Sequence, residues 1–146
     1  MSAPVCERSD VVGFVSAPLA SPLHVAGRFQ AVLTVETTAS DTAFVVSLVE
    51  ERADGRTLLI REAFTTLRFQ GLRGGDGPVT ARLESWPLDW EFSEGSRIRV
   101  ELSSSRFPKV ASHPNRATPW GGVTEPVPAT QTVHLHRSSV RLPVIP

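Results

Sequence analysis

Cys6 is the only cysteine among 146 residues. One thiol closes no internal disulfide and supplies no zinc site of the CxxC type. Neither charge sign is in excess, because fifteen basic residues balance fifteen acidic ones. Duplex binding runs on surplus Lys and Arg against phosphate, so nucleic acid is excluded as the main partner. No apolar run approaches the about 18 residues of a membrane span. The opening Met1–Arg8 has neither the basic nor the apolar region of a secretory signal. The expectation is a cytoplasmic chain with no membrane partner. Helical periodicity is also missing, since no window shows an i, i+3, i+4, i+7 apolar stripe. No internal repeat or domain boundary is visible, so residues 1–146 read as one domain. Residues 1–7 read as a flexible tail or a cloned boundary.

What the sequence has in quantity is β-forming residues. Eighteen valines, twelve threonines and seven phenylalanines favour a pleated, half-buried backbone. Phe29, Ala31, Leu33 and Val35 alternate with Gln30, Thr34 and Glu36, the period of a strand with one apolar face. From Ala43 to Arg52 both alternating sets are mainly apolar, which predicts a central strand. Ala53-Asp54-Gly55 is a turn leading to a second arm from Thr57 to Phe64. Val79–Glu84, Arg97–Ser103 and Thr130–Arg137 predict further strands. Asp10–Ser16, Thr65–Gln70 and Ser139–Val144 are shorter candidates. Such a series of short strands between turn signals predicts an all-β sandwich of two antiparallel sheets. Two segments fall outside the pattern, the glycine-rich Gly71–Pro78 and the proline-rich Phe107–Ala129. A loop as long as the second is usually functional within a compact domain.

Catalytic signatures are scarce. No G-x-S-x-G elbow occurs, and Glu94-Gly95-Ser96-Arg97, its nearest fragment, reads as a turn opening a strand. Cys6 lies in a terminal segment and reads as a thiol without a role. His134 and His136 are two apart on a predicted strand and share a face, but a metal needs a third ligand there. Gly71–Gly77 matches no phosphate-binding loop, so it reads as a hairpin or a sheet-to-sheet connection. Asp41 and Asp54 sit beside turns and form no calcium loop. The expectation is no catalytic residue, no metal and no cofactor. Trp86, Trp90 and Trp120 are the amphipathic aromatics able to stack on a sugar ring or pack against a neighbour.

Laid out in order, the segments resemble one family. Arg8–Leu19 is similar to an opening R-x-D-V-x-x-F-x-S-x-P-L, and His24–Gly27 to an x-V-x-G turn before the second strand. Ser40–Leu48 resembles S-D-T-D-F-x-V-x-L, with Ala43 where the family often has an acid. Ala53–Arg56 resembles its x-D-G-x hairpin, and Phe92–Ser105 its F-x-x-G-x-R-I-R-V-x-I-S-S-S strand. Thr132–His134 and Leu142–Val144 resemble its closing strands. The family is the C-terminal, non-catalytic domain of X-Pro dipeptidyl-peptidases, cocaine esterase and α-amino acid ester hydrolases. The resemblance implies a jelly-roll-like, galactose-binding-like sandwich that follows an α/β-hydrolase domain holding the Ser-Asp-His triad. It implies an excised domain that braces the hydrolase domain and its cleft, with support for homo-oligomer contacts. Phe107, Asn115 and Trp120 of the long loop are the candidate contacts, together with Trp86 and Trp90. The alternative is an independent carbohydrate-binding module using the tryptophans.

Overall fold

The computed structural model describes residues 8–118 and 125–146. Ten strands are formed there: β1 (Val11–Val15), β2 (Leu23–Gly27), β3 (Gln30–Thr37), β4 (Ala43–Glu51) and β5 (Thr57–Thr66). The rest are β6 (Val79–Glu84), β7 (Leu88–Phe92), β8 (Arg97–Ser103), β9 (Gln131–Val133) and β10 (Ser139–Arg141). The described residues contain no α-helix, only two 3-10 turns. One sheet runs β1-β8-β4-β5, and the other runs β10-β3-β6 with β9 also on β3. All pairs are antiparallel. The fold is the all-β sandwich expected from the alternation.

The odd positions Phe29, Ala31, Leu33 and Val35 are all buried. They meet Phe44, Val46 and Leu48 of β4, Ala63 of β5 and Leu102 of β8 in one core. β4 is buried along nearly its whole length because β8 and β5 flank it. Its second face shares register with Glu101 and Arg99 of β8 and with Glu62 of β5. Charged side chains therefore lie across Ser47 and Val49, and Arg99 packs directly over Gly13. At the far end of β4, Glu50 is fully buried. Its carboxylate accepts the Ser93 amide at 2.8 Å, which fixes the turn between β7 and β8. Ser96 closes the same turn by donating its hydroxyl to the Ser93 carbonyl at 2.6 Å.

Two expected strands give way to 3-10 turns, and a third, Ser139–Val144, forms only over Ser139–Arg141. Thr65–Gln70 is not a separate strand: β5 runs on to Thr66, and Arg68–Gln70 forms a 3-10 turn. Asp41 takes the Arg68 amide at 3.0 Å and Thr66 Oγ1 takes the Phe69 amide at 3.1 Å, so these groups are lost to any ladder. Thr130–Arg137 likewise breaks after Val133, and Leu135–Arg137 is a second 3-10 turn. Ser138 Oγ replaces the ladder by accepting the Thr34 amide at 3.0 Å and donating to the His134 carbonyl at 2.9 Å. Leu135 is thereby turned outward.

A third pairing goes beyond the two expected sheets. β2 and β7 form a two-stranded ribbon whose Val25, Leu88 and Phe92 enter the common core. The glycine-rich segment is a sheet-to-sheet connection from β5 to β6. Gly74 is required there, because a Cβ would stand 2.3 Å from the Ala39 carbonyl oxygen.

Phe44→Ala is expected to cost about 3–5 kcal/mol, the range for emptying a buried aromatic site. Urea denaturation followed by tryptophan fluorescence checks this, and a loss near zero would remove Phe44 from the packed core.

Candidate functional site

The strands place two loop clusters at opposite ends of the sandwich. One end holds Ser40–Thr42, Leu67–Pro78 and the described residues between β8 and β9. Val11 pairs with Ser103, and Arg8 reaches Ser105 Oγ at 3.3 Å, so the chain enters β1 at this same end. The other end holds the Asp54 hairpin, the Ser85–Pro87 corner and the Ser93–Ser96 turn.

At the first end, Ser40-Asp41-Thr42 is a buried polar corner on which three loops converge. Asp41 is 3 % exposed and Thr42 is fully buried. The Asp41 carboxylate accepts the amides of Thr42 at 2.9 Å and Arg68 at 3.0 Å. Its other oxygen lies 3.3 Å from Nε2 of His113. Ser40 takes the Gly74 amide on its carbonyl at 3.1 Å and the Ala117 amide on its hydroxyl at 3.2 Å. The Thr42 hydroxyl donates to Asn115 Oδ1 at 2.9 Å and accepts from Gln131 Nε2 at 2.6 Å.

Asn115 organises the long loop from within. Its φ is 60°, a left-handed conformation that asparagine tolerates better than most residues. Its Nδ2 donates to the Val127 carbonyl at 2.9 Å, and the Val127 amide donates back to Pro114 at 3.0 Å. Two limbs of the loop are thus tied together and to β4. Arg116 donates to the Glu125 carbonyl at 3.0 Å, and Arg68 to the Thr118 carbonyl.

A second anchor holds the start of the loop. Glu62 on β5 receives both Arg106 and Lys109. Burial opposes a charge on Glu62, but the hydrogen bonds and positive charges of Lys109 and Arg106 outweigh it and hold its carboxyl below the usual range. Phe107, between the two cations, is 69 % exposed.

The candidate contacts therefore separate. Phe107 projects from the loop, whereas the Asn115 amide is spent on Thr42 and Val127. Trp120 lies outside the described residues. Trp86 and Trp90 are at or near the opposite end: Trp86 is 74 % exposed, and Trp90 stands opposite Val25 on the ribbon, half-buried. Among the described residues no two tryptophan rings stack.

Three histidines meet carboxylates: His24 with Asp89 at 2.6 Å, His113 with Asp41 at 3.3 Å and His134 with Glu36 at 2.9 Å. A nucleophile would need the second nitrogen of such a ring. The Nδ1 of His113 instead accepts the backbone N–H of Asn115 at 3.0 Å. No described serine, threonine or cysteine side chain hydrogen-bonds any of the three rings. His134 and His136 approach edge to face at 6.1 Å, on a turn rather than on one strand. Among the described residues no three potential ligands gather as a metal site.

Sequence reasoning singled out Asn115 as a contact and read Asp41 only as a turn residue. The buried corner was visible as the S-D-T motif, but its partners lie 27 to 89 positions away in the chain.

The model of the X-Pro dipeptidyl-peptidase C-terminal non-catalytic domain matches residues 2–140. The chain belongs to this family. Cocaine esterase of Rhodococcus sp. (strain MB1 Bresler) is 29% identical, over 97% of this chain and 27% of that protein. An α-amino acid ester hydrolase structure superposes with a TM-score of 0.78 at 26% identity, covering 94% of this chain and 26% of the other. An aminopeptidase structure from a marine sediment Thaumarchaeota archaeon superposes at 0.86 with 24% identity, covering 96% and 26%, and shows the same fold. The chain thus spans about a quarter of the length of these proteins. As an X-Pro dipeptidyl-peptidase C-terminal domain it belongs to a non-catalytic type found in larger hydrolases.

Two outcomes follow for this domain. Asn115→Ala removes two hydrogen bonds and a left-handed-tolerant residue, for a loss of about 1–3 kcal/mol. Hydrogen exchange is expected to accelerate at the Val127 and Ala117 amides while β4 stays protected. Glu62 has a folded pKa below its unfolded value, so its anchoring contributes above the unfolded value and fades as pH falls through the folded one. Proteolysis near Phe107 is expected to rise on acidification from neutral pH through that window. Glu62→Gln is expected to show the faster cleavage already at neutral pH.

Proposed function

We propose that this chain is the accessory domain of a serine hydrolase acting on X-Pro peptides or acyl esters, and that it braces an α/β-hydrolase domain and its cleft. The family match to a C-terminal non-catalytic domain carries this reading. Topology supports it. The chain enters β1 beside Ser105, at the end where the long loop is built, so a preceding domain is delivered to that loop. Phe107 projects from the loop as an apolar contact, and interdomain surfaces combine such contacts with a polar surround. Asp41, Thr42 and Asn115 act indirectly by holding the loop in one shape. A braced neighbour gains from a rigid surface because little ordering entropy is lost on contact.

The protein encoded by the complete reading frame is expected to cleave X-Pro anilides or p-nitrophenyl esters and to lose that activity to a serine-directed inhibitor. Phe107→Asp in that protein is expected to lower its thermal stability by several degrees. A reading frame without a hydrolase domain, or turnover by residues 1–146 alone, would overturn the proposal.

A further inference from the structure

The two sheets are closed on one long side and open on the other. β5 lies against β6 along the closed side. On the other side β1 and β10 are the edge strands, and β10 is only three residues long. Val12 and Phe14 pair with Leu102 and Val100 of β8, so they face the interior of the sandwich. They are nevertheless 53 % and 40 % exposed, because the opposing sheet stops at the Leu135–Arg137 turn. Leu135 at that turn is 58 % exposed. The result is a groove of about 260 Å³ reaching down to Leu33 and Val46 of the core.

The lining excludes most ligand classes. Phe14, Val100, Leu135 and Val140 are typical of it; among the described residues no charged side chain contributes, and Ser138 and Ser139 are the only polar members. Ser138 already spends its hydroxyl on Thr34 and His134. A phosphate, a sugar or a charged peptide would lose its hydration there without regaining partners. An apolar surface would not.

We infer that this open side is the seat of an apolar surface segment of the preceding hydrolase domain, an inference that rests on the reading proposed above. The matched relatives carry about three quarters of their length outside this domain. The domain type is C-terminal, so that mass precedes β1. β1 is itself the groove's outer wall, which tethers the preceding domain a few residues from the opening. The open side and the long-loop end adjoin at Arg8–Val11, so one neighbour reaches both surfaces.

The test is thiol labelling of the complete protein in a Cys6→Ser background, with sites resolved by mass spectrometry. Leu135→Cys and Phe14→Cys report on the groove. Leu59→Cys, on the closed side and 43 % exposed, is the reference. All three positions are partly solvent-accessible in the domain, so cysteine is tolerated without loss of core. The two groove cysteines are expected to react at least tenfold more slowly than Leu59→Cys. Equal or faster reaction in a protein that still hydrolyses esters would overturn the seat and leave the accessory-domain reading intact. Protection lost on dilution, together with a dimer-to-monomer shift in gel filtration, would assign the groove to a second copy and overturn the inference. Absence of a hydrolase domain from the reading frame would remove both.

Discussion

The molecule is organised by the need to satisfy one buried carboxylate and the hydroxyl beside it. Asp41 and Thr42 sit where β3 hands over to β4, with almost no access to water. An unpaired acceptor there would cost its full desolvation, so each lone pair must find a donor. The donors come from Arg68 and His113, while Asn115 and Gln131 pair with the Thr42 hydroxyl. Segments with no regular structure of their own are thereby fixed relative to the sheets. The requirement is local, but its satisfaction is global.

That arrangement separates the two jobs of a loop. Its inner residues, Asn115 and His113, are consumed by the corner, and Phe107 is left exposed. The Glu62 anchor adds a second hold of opposite chemistry, one partly buried anion under two cations. Burial of Glu62 costs desolvation that offsets much of the pairing, so the cations matter chiefly because losing them would leave a buried charge uncompensated. Rigid loop, entering strand and open groove all lie on adjoining surfaces. On the proposed reading, a domain without bond-making chemistry shapes a catalytic neighbour through that geometry.

The strand alternation was legible wherever one face is buried against the core, as in β3 and β6, because the period of two maps directly onto burial. It misled at Thr65–Gln70 and at His134–Arg137, where side chains of Asp41, Thr66 and Ser138 capture backbone groups that a ladder would otherwise use. In the β2–β7 ribbon, His24–Gly27 was read only as a turn and Leu88–Phe92 was not read as a strand. Leu88, Trp90 and Phe92 alternate with Asp89 and Glu91, but the run is only five residues long and its pairing joins segments some 65 positions apart.

Composition and order alone determined the fold class and the family resemblance: abundant valine and threonine, no helical stripe, no nucleophile elbow, and motifs in a set sequence. Those are properties of neighbours along the chain. Tertiary structure decided which loops share an end, that Asn115 points inward while Phe107 points outward, and that one long side of the sandwich stays open. Each of these depends on contacts between distant segments, whose free energy is realised only when the sheets have packed.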